Sequence, residues 1–306
     1  MGSSRSAYPA GWQDRPGPAP GPGLRADGTN YLMPGQSPIP SGLGIGPDRG
    51  ALVNVRSPLH VELLQEATRH PGEVVDPFTV AETFRHYILD RNIIGSVRKS
   101  SEHKEYIHKY KAYYVHAMRD PIKAAATRFN LPPVLVAGTI YNEVGGADMI
   151  KPYVELLRRV ISGPAAADRT SIGPTSLQPR RALAALGYDP AKVDQTLRID
   201  VIESLIHNPP FAIFVCAKHL SDLRDLFFPA HGADELGDDD LALLGSRYDY
   251  GPDTPDETVR KDLSYGRHIV GRKQVLAKLL SDVPVSEPDW SEPLKNALKA
   301  FENVFK

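Results

Sequence analysis

Prolines that recur at the beginnings of helices constrain the fold of this chain more than any other feature. Proline suits the first turn of a helix, because the first amide hydrogens have no partner inside the helix. A capping residue precedes the proline in Ser57-Pro58 and in Asp76-Pro77. After the prolines, apolar residues recur at spacings of three and four rather than in alternation. The pattern predicts a mainly α-helical protein with at most a small β-hairpin, near residues 168–178.

Composition divides the chain into four parts. The first 50 residues are rich in proline and glycine, and such a segment cannot bury enough apolar surface to offset its chain entropy. We expect a disordered arm over residues 1–55 and a helical extension over 56–120. A larger helical domain over 121–283 and a C-terminal amphipathic helix over 284–306 follow. Within these parts, helices are predicted at residues 58–69, 77–94, 102–118, 120–130, 133–143, 151–161, 197–207, 210–227, 237–248 and 262–281, and after Pro179.

The balance of charged and apolar residues argues against several classes of protein. Among 306 residues, 36 basic side chains balance 37 acidic ones, which is not typical of a general nucleic-acid binder. No apolar run approaches the length of a membrane span, and the first residues lack the apolar core of a secretory signal. The single cysteine, Cys216, excludes an internal disulfide, and its apolar neighbours predict a buried thiol. We expect a protein made in the cytoplasm, with no nucleic-acid partner and no membrane span.

Glu143 is the first candidate for chemistry, because it ends a helix-forming segment. At 3.6 residues per turn it shares a helix face with Val136, Ile140 and Val144. Burying a charged carboxylate on an apolar stripe is costly, so the pKa of this group should rise. A carboxylic acid with a raised pKa can donate a proton near pH 7. On the helix alone, a glutamate that bends out to water or pairs with an arginine is the plainer interpretation.

Four segments in a fixed order strengthen the catalytic interpretation. They are the proline-containing segment Ala124–Glu143, Ser171-Ile-Gly-Pro-Thr-Ser-Leu-Gln-Pro179, the helix-forming segment Asn208–Leu220, and Arg247-Tyr-Asp-Tyr-Gly-Pro252. Together they resemble motifs of the goose-type lysozyme and soluble lytic transglycosylase superfamily. The second segment is similar to that family's Gly-Leu-Met-Gln turn, and the fourth to its Ala-Tyr-Asn-Ala-Gly-Pro. The resemblance covers about residues 121–281 and implies a lysozyme-like helical domain.

The same resemblance implies that Glu143 is the acid, and then the base, in the cleavage of a glycosidic bond. It also implies a sugar-binding surface built from a hydroxyl, a close backbone approach, an amide and two aromatic rings. Those substrate-binding residues are Ser171, Gly173, Gln178, Tyr248 and Tyr250. Plainer roles stay open for some of them, since the glutamine can cap the following helix and the tyrosines can pack in the core.

A second carboxylate is harder to find. An inverting glycosidase needs one at about 6.5–9.5 Å from the first. The candidates are Asp148 and Asp168, each of which can equally be a solvated loop residue. Lytic transglycosylases of the superfamily work with a single glutamate, because the C6 hydroxyl of the substrate attacks and leaves a 1,6-anhydro sugar. The lack of an evident second acid favours that chemistry without deciding it.

The chain departs from the family pattern at three places. Val144 follows Glu143 where serine is customary, and Asp249 stands where asparagine is customary. The spacing from Ser171 to Gln178 is longer than usual by a residue or two. These changes concern the sugar-binding details more than the fold.

The histidines do not form a recognisable metal motif. No His-Glu-x-x-His signature occurs, and the spacing of His103, His108 and His116 does not bring all three together on one helix. We expect no metal and no cofactor. The helix that carries these residues mixes basic and aromatic side chains over residues 102–114. It could line a groove for a polymer, although the pattern is more typical of an amphipathic surface helix.

These observations predict an enzyme that cuts the β-1,4 bond between N-acetylmuramic acid and N-acetylglucosamine in peptidoglycan, as a muramidase or a lytic transglycosylase. The alternatives are a chitinase-like hydrolase and a catalytically silent helical module that binds the cell wall or has a structural role. Without a secretory signal, such an enzyme would reach the periplasm or the cell wall by specialised export, as an effector toxin or a phage-associated lysin does. The expected partners are peptidoglycan glycan strands and an export-machine or immunity protein.

Overall fold

The computed structural model describes residues 52–73, 101–144, 168, 170–229 and 231–285, with the backbone alone for residues 101–107. Within these ranges the chain forms eleven α-helices and one short 3-10 helix, Ala233–Glu235. The α-helices are α1 (Pro58–Arg69), α2 (Ser101–Ala117), α3 (Arg119–Arg128), α4 (Pro133–Glu143), α5 (Pro179–Ala185), α6 (Gln195–His207), α7 (Pro209–Phe227), α8 (Asp238–Tyr250), α9 (Asp256–Lys261), α10 (Ser264–Gly271) and α11 (Lys273–Leu279).

The mainly α-helical class is confirmed, since the described residues contain helices and no strand. Two isolated β-bridges join Val53 to Val193 and Ile172 to Leu177. The second bridge lies where the sequence predicts a small hairpin, and only this single residue pair forms. The predicted helices at 77–94 and 151–161, and almost all of the arm and of the C-terminal helix, lie outside the described residues.

Helix α7 is the central element of the fold. Asn208 caps it, with its side-chain Oδ1 accepting a hydrogen bond from the amide of Phe211 at 3.1 Å. All residues from Pro210 to Ala217 are buried, including the predicted thiol of Cys216. A helix that is apolar on every side is stable only when other helices surround it. Accordingly α7 packs against α1, α3, α4, α5, α6 and α8.

Helix α4 places the candidate acid. Pro133 begins the helix as predicted, and the segment from Leu135 to Tyr141 is buried. The predicted stripe is confirmed, because Val136, Ile140 and Val144 are buried on the face that carries the glutamate. The helix ends at Glu143, after which the backbone becomes extended. Helices α2, α3, α7, α8, α10 and α11 pack against α4.

Close packing seats α10 between α4 and α8. A Cβ atom at Gly266 would lie 1.8 Å from the carbonyl oxygen of Ala242, so only glycine permits this crossing. On the other side, a Cβ at Gly138 would lie 2.4 Å from a methyl carbon of Ile269. These contacts bring Tyr265, at the beginning of α10, to the end of α4.

The prediction of one long helix over residues 262–281 is wrong. The chain forms two helices, α10 and α11, with a break at Arg272, where φ is −107° and ψ is 6°. Gly271 precedes the break, and glycine is a weak helix former. The break lets α11 pack against α2 and α4 instead of continuing along α8.

The predicted extension shares its core with the predicted larger domain. Leu63 of α1 and the rings of Tyr110 and Tyr114 of α2 are fully buried in the same apolar cluster as α4 and α7. One continuous core therefore crosses the boundary that composition suggests at residue 120.

No single helix in the described ranges is long and apolar enough to cross a membrane. Only α6 and α7 taken together pass that test, as a pair bent by 108°.

Candidate active site

Glu143 lies in the last turn of α4, where several helices meet. Protein encloses the carboxyl group on most sides, yet the residue keeps partial exposure to solvent. Part of the residue therefore stays in contact with solvent, while most of the carboxyl group is kept from bulk water.

Two hydroxyl groups hold the carboxyl of Glu143. The Tyr265 hydroxyl donates a hydrogen bond to its Oε1 at 2.7 Å. The Ser176 hydroxyl also hydrogen-bonds with it. No lysine or arginine among the described residues forms a salt bridge with Glu143. The plainer interpretation from the sequence, a glutamate paired with an arginine, therefore does not describe this site.

Burial raises the pKa of Glu143 to about 7. The hydrogen bond from Tyr265 opposes this rise, the negative charge of Asp249 adds to it, and the positive charge of Lys111 opposes it. The Tyr265 hydroxyl stays protonated, because burial raises its own pKa well above the usual value. At neutral pH the site thus holds a carboxyl group that can either give or take a proton.

The turn from Gly173 to Ser176 brings the serine to Glu143. The amide of Ser176 donates to the carbonyl of Gly173 at 3.1 Å, which closes the turn. Ser176 has φ of +48°, a left-handed conformation that few residues other than glycine adopt. Strain of this kind concentrates at functional sites, where the surrounding structure holds the residue in place.

Tyr248 packs against this turn on its buried side and is not accessible to a substrate. It is 3% exposed, and its hydroxyl donates to the carbonyl of Thr175 at 2.7 Å. The ring packs beside His219, with centroids 5.7 Å apart. The expectation that Tyr248 offers a ring or phenol to a sugar is therefore corrected, since the residue is buried and positions the neighbour of Ser176.

Gly173 also has a structural role. Its φ is +68°, and a Cβ atom there would lie 2.3 Å from the carbonyl oxygen of Leu205 in α6. The glycine is required because the turn packs directly on that helix. The sequence predicts that a sugar approaches the backbone at Gly173, but in the structure the backbone of α6 occupies that side of the glycine.

The other predicted sugar-binding residues are partly exposed. Ser171 precedes the bridge that closes the turn. Gln178 stands at the beginning of α5, but its side chain does not cap the helix; its Oε1 accepts from Arg180 Nε at 3.0 Å. Tyr250 ends α8, and its hydroxyl donates to Asp262 at 3.2 Å. Direct contact with a substrate at these three residues stays a prediction.

The carboxylate whose charge acts on Glu143 is neither of the two that the sequence singles out. Asp168 forms a salt bridge with Arg198, whose guanidinium also donates to the carbonyl of Pro190 at 2.6 Å. Asp148 lies outside the described residues. The negative charge that acts on Glu143 is that of Asp249, which stands where the resembled motif has asparagine. Asp249 is accordingly the better candidate for a second carboxylate.

Tyr265 and Ser176 are site residues that sequence reasoning misses. Tyr265 lies 122 residues from Glu143 in the chain, and its segment shows only ordinary helical periodicity. Ser176 lies inside the motif-like segment 171–179, so its neighbourhood is predicted although its contact is not. Lys111 had a weak signal in the basic and aromatic character of residues 102–114. A pattern within one segment cannot show which distant side chain will complete a site.

No group of three or more His, Cys, Asp or Glu residues in the described part of the chain could hold a metal ion. The expectation that the protein uses neither a metal nor a cofactor stays a prediction.

The arrangement suits proton transfer to and from a ligand. A carboxyl group with a pKa of about 7 can protonate a leaving group and afterwards accept a proton. The two hydroxyl groups fix its orientation, and the raised pKa keeps a useful fraction protonated at neutral pH. No protein-family model matches the chain, and neither a curated protein nor a solved structure shows significant similarity to it.

Proposed function

We propose that this protein cleaves glycosidic bonds in peptidoglycan, with Glu143 as the general acid and base. The observation that carries the proposal is the buried, hydroxyl-bonded carboxyl group whose pKa is about 7. The resemblance of four segments to the goose-type lysozyme and soluble lytic transglycosylase superfamily gives the substrate, the bond between N-acetylmuramic acid and N-acetylglucosamine.

The reaction needs two proton transfers. Protonated Glu143 gives its proton to the glycosidic oxygen while the bond from that oxygen to C1 breaks, which leaves an oxocarbenium-like sugar. The carboxylate of Glu143 then accepts a proton from the hydroxyl group that attacks C1. If the attacking group is the C6 hydroxyl of the same sugar, the product is a 1,6-anhydro sugar. If it is water, the product is a reducing end.

Asp249 favours a second candidate, a hydrolase. Its negative charge acts on Glu143, as expected of a carboxylate that shares the site. A carboxylate across the sugar could hold the attacking water for an inverting reaction. Mass spectrometry of digested cell wall separates the two reactions, because anhydro ends identify the transglycosylase and reducing ends the hydrolase. In the hydrolase, Asp249→Asn would stop the reaction, whereas a transglycosylase would keep most of its rate.

The decisive experiment compares wild type with Glu143→Gln on purified cell wall. We expect the wild type to release soluble fragments and the variant, folded by circular dichroism, to release none. Glu203→Gln on α6 is the matched control, since this glutamate is exposed. Equal inactivity of wild type and Glu143→Gln, both folded, would leave a cell-wall-binding or structural module as the better description.

Export is a separate part of the proposal. A peptidoglycan-cleaving enzyme acts at the cell wall, and we propose the proline- and glycine-rich segment of residues 1–50 as the part that an export machine recognises. A toxin of this kind would also have an immunity protein as partner. Deleting residues 1–50 should abolish export while the purified protein keeps its activity. Unchanged export would contradict this role of the segment.

A further inference from the structure

Three basic side chains lie close to the ring of Tyr141, two residues before the proposed acid, and a fourth lies within reach of their charges. The guanidinium carbon of Arg272 lies 5.6 Å from the centre of the ring, and Lys111 Nζ lies 5.8 Å from it. The imidazole of His108 stacks on the ring at 6.4 Å, and its Nδ1 lies 3.2 Å from the tyrosine hydroxyl. His268 belongs to the same group, because the charges of Arg272 and Lys111 both act on it. We call these five residues the Tyr141 cluster.

The cluster is assembled from separate parts of the fold. Helix α2 contributes His108 and Lys111, α4 contributes Tyr141, and α10 with the break after it contributes His268 and Arg272. The break at Arg272, absent from the sequence-based prediction, is what turns this side chain toward α4. The cluster therefore depends on the tertiary structure rather than on one basic segment.

Lys111 and Arg272 are the two strongest bases of the cluster. Neither Lys111 nor Arg272 forms a salt bridge within the described residues. Elsewhere in the fold some buried cations are paired, as Lys218 is with Asp222 and Arg198 is with Asp168, whereas Arg181 donates to two backbone carbonyls. A partly buried cation without a counter-ion costs free energy, so two of them close together favour the binding of an anion.

The known contacts of the two cations leave donors unused. Lys111 Nζ donates to the carbonyl of Asn142 at 2.8 Å, and Arg272 Nη1 donates to the carbonyl of His268 at 3.3 Å. Lysine has three such hydrogens and arginine has five. Both side chains can therefore add hydrogen bonds to an anion without giving up those that they make now.

The cluster also lies beside the proposed acid. Lys111 contacts the residue that precedes Glu143, and its charge acts on Glu143 directly. Burial lowers the pKa of Lys111 to about 8, which a bound anion would raise again. An anion held here would be part of the same ligand as the bond that Glu143 protonates.

We propose that the Tyr141 cluster is a subsite for a carboxylate of the substrate, next to the cleaved bond. In peptidoglycan the nearest carboxylates are those of the peptide on N-acetylmuramic acid or, where the peptide is missing, the free lactyl group to which it would be joined by an amide bond. A neutral polymer of N-acetylglucosamine has neither. The subsite rests on the proposed function, and it would select peptidoglycan over chitin.

Binding to the full-length Glu143→Gln variant tests the subsite without catalysis. The probes are N-acetylmuramic acid, N-acetylglucosamine and inorganic phosphate, and the readout is the NMR titration of His108 and His268, assigned with His108→Gln and His268→Gln. Burial lowers the pKa of both histidines, and the charges of Arg272 and Lys111 lower it further, so a bound carboxylate that offsets those charges should raise the pKa of both. We expect the rise with N-acetylmuramic acid and none with N-acetylglucosamine. No rise at saturating N-acetylmuramic acid, or an equal rise with phosphate, would overturn the assignment.

The variant Arg272→Gln tests whether the arginine itself binds the carboxylate. It should weaken binding of N-acetylmuramic acid about 10-fold or more, because hydrogen bonds to charged groups are the strong ones. Arg267→Gln is the matched control, since Arg267 is an exposed arginine of α10, the helix that ends just before Arg272. Equal affinity of the Arg272 variant and the control variant would contradict the subsite.

Substrate comparison separates the subsite from the proposed function. On wild type, Arg272→Gln and Arg267→Gln, KM is measured for glycan strands with peptides, for strands freed of peptides, and for chitin oligosaccharides. A rise in KM confined to the first substrate assigns the peptide carboxylates, a rise confined to the second assigns the free lactyl group, and a rise on both shows that the subsite accepts either carboxylate. Cleavage of cell wall with no change in KM for Arg272→Gln would reject the subsite and keep the function. Carboxylate binding without any cleavage by wild type would reject the function and keep the subsite.

Discussion

At the scale of single residues, the site is organised around the protonation of one carboxyl group. The pKa of Glu143 is about 7 in the folded protein against 4.5 for a free glutamate. The folded state thus binds this proton more tightly than the unfolded state does. The stabilising effect of the proton is complete below pH 4.5 and is lost as pH rises through 7.

This linkage predicts that Glu143→Gln stabilises the protein at high pH. Glutamine has the shape of the protonated acid but cannot ionise, so the variant avoids the cost of a buried charge. We expect a gain on the order of 2 kcal/mol in the free energy of unfolding at pH 8, below the full value of the pKa shift because Glu143 is partly exposed. Urea unfolding of wild type and variant at pH 5 and pH 8 measures it. A variant with the same stability as wild type at pH 8 would show that Glu143 is well solvated.

The neighbours of Glu143 should shift its titration in opposite directions. Removing the hydrogen bond in Tyr265→Phe takes away an interaction that lowers the pKa of Glu143, so this pKa should rise. Removing the negative charge in Asp249→Asn takes away one that raises it, so the pKa should fall. The general acid must be protonated, and the rate should therefore decline at higher pH in the first variant and at lower pH in the second. Profiles of kcat/KM against pH measure both shifts, and movement in the same direction would contradict the assignment.

Residue by residue, sequence reasoning predicted a carboxyl group with a raised pKa at Glu143 and missed its hydrogen-bond partners. Glu143 could be found because an ionisable group on an apolar stripe is visible in the local spacing. Tyr265 could not, because its contact with Glu143 depends on how closely α10 approaches α4 and α8. That distance depends on glycines such as Gly266, whose packing partner is a distant backbone atom.

At the scale of elements, the turn between the bridge residues Ile172 and Leu177 connects the buried core to the site. Tyr248 holds the carbonyl of Thr175, and the next residue, Ser176, reaches Glu143. A change at the buried tyrosine should therefore alter the orientation of the acid without touching a substrate.

Tyr248→Phe tests this connection. Losing the hydrogen bond leaves a buried carbonyl unsatisfied, which should lower the free energy of unfolding by about 1–3 kcal/mol. Because the serine is then less well held, we expect kcat to fall about 10-fold while KM changes little. Tyr114→Phe is the control, since it removes an equally buried hydroxyl that has no hydrogen-bond partner among the described residues. A fall in kcat of the same size in both variants would assign the effect to general loss of packing.

The helices were predictable to the extent that their ends have chemical markers. Pro58 and Pro133 begin their helices as predicted, because proline at the first turn is a local signal. The break at Arg272 was not predicted, since the apolar spacing continues through it and only tertiary packing favours two helices. The role of Gly173 could not be predicted either, because the glycine is required by its close packing against the backbone of Leu205 in α6.

At the scale of the whole molecule, compositional boundaries and structural boundaries differ. Composition separates an extension over 56–120 from the domain that follows, and yet α1 and α2 bury their side chains in the same core as α7. Apolar periodicity shows that a helix has a face to bury but not which helix will cover it. The proposed site depends on this arrangement, because Lys111 of α2 lies beside Glu143 of α4.

The residues before α1 also form hydrogen bonds with the predicted larger domain. The amide of Val53 donates to the carbonyl of Lys192 at 2.7 Å, and the amide of Asp194 donates back to Val53 at 2.9 Å. The Ser57 hydroxyl donates to the carbonyl of Leu186 at 2.7 Å, and its amide donates to the hydroxyl of Tyr188 at 2.6 Å. Residues 52–57 therefore fasten the beginning of α1 to the segment between α5 and α6.

Two truncations test where the folded unit begins. The sequence predicts that residues 1–50 are disordered, so their deletion should leave the melting temperature unchanged. Deletion of residues 1–57 removes the bridge at Val53 and the cap of α1, and should lower the free energy of unfolding by about 2 kcal/mol. Arg56→Gln serves as the control within the full chain, since its salt bridge with Asp200 is exposed and should contribute little. Equal stability of the two truncated proteins would show that residues 52–57 lie on the surface without fastening α1, and a large loss on removing residues 1–50 would contradict the predicted disorder of the arm.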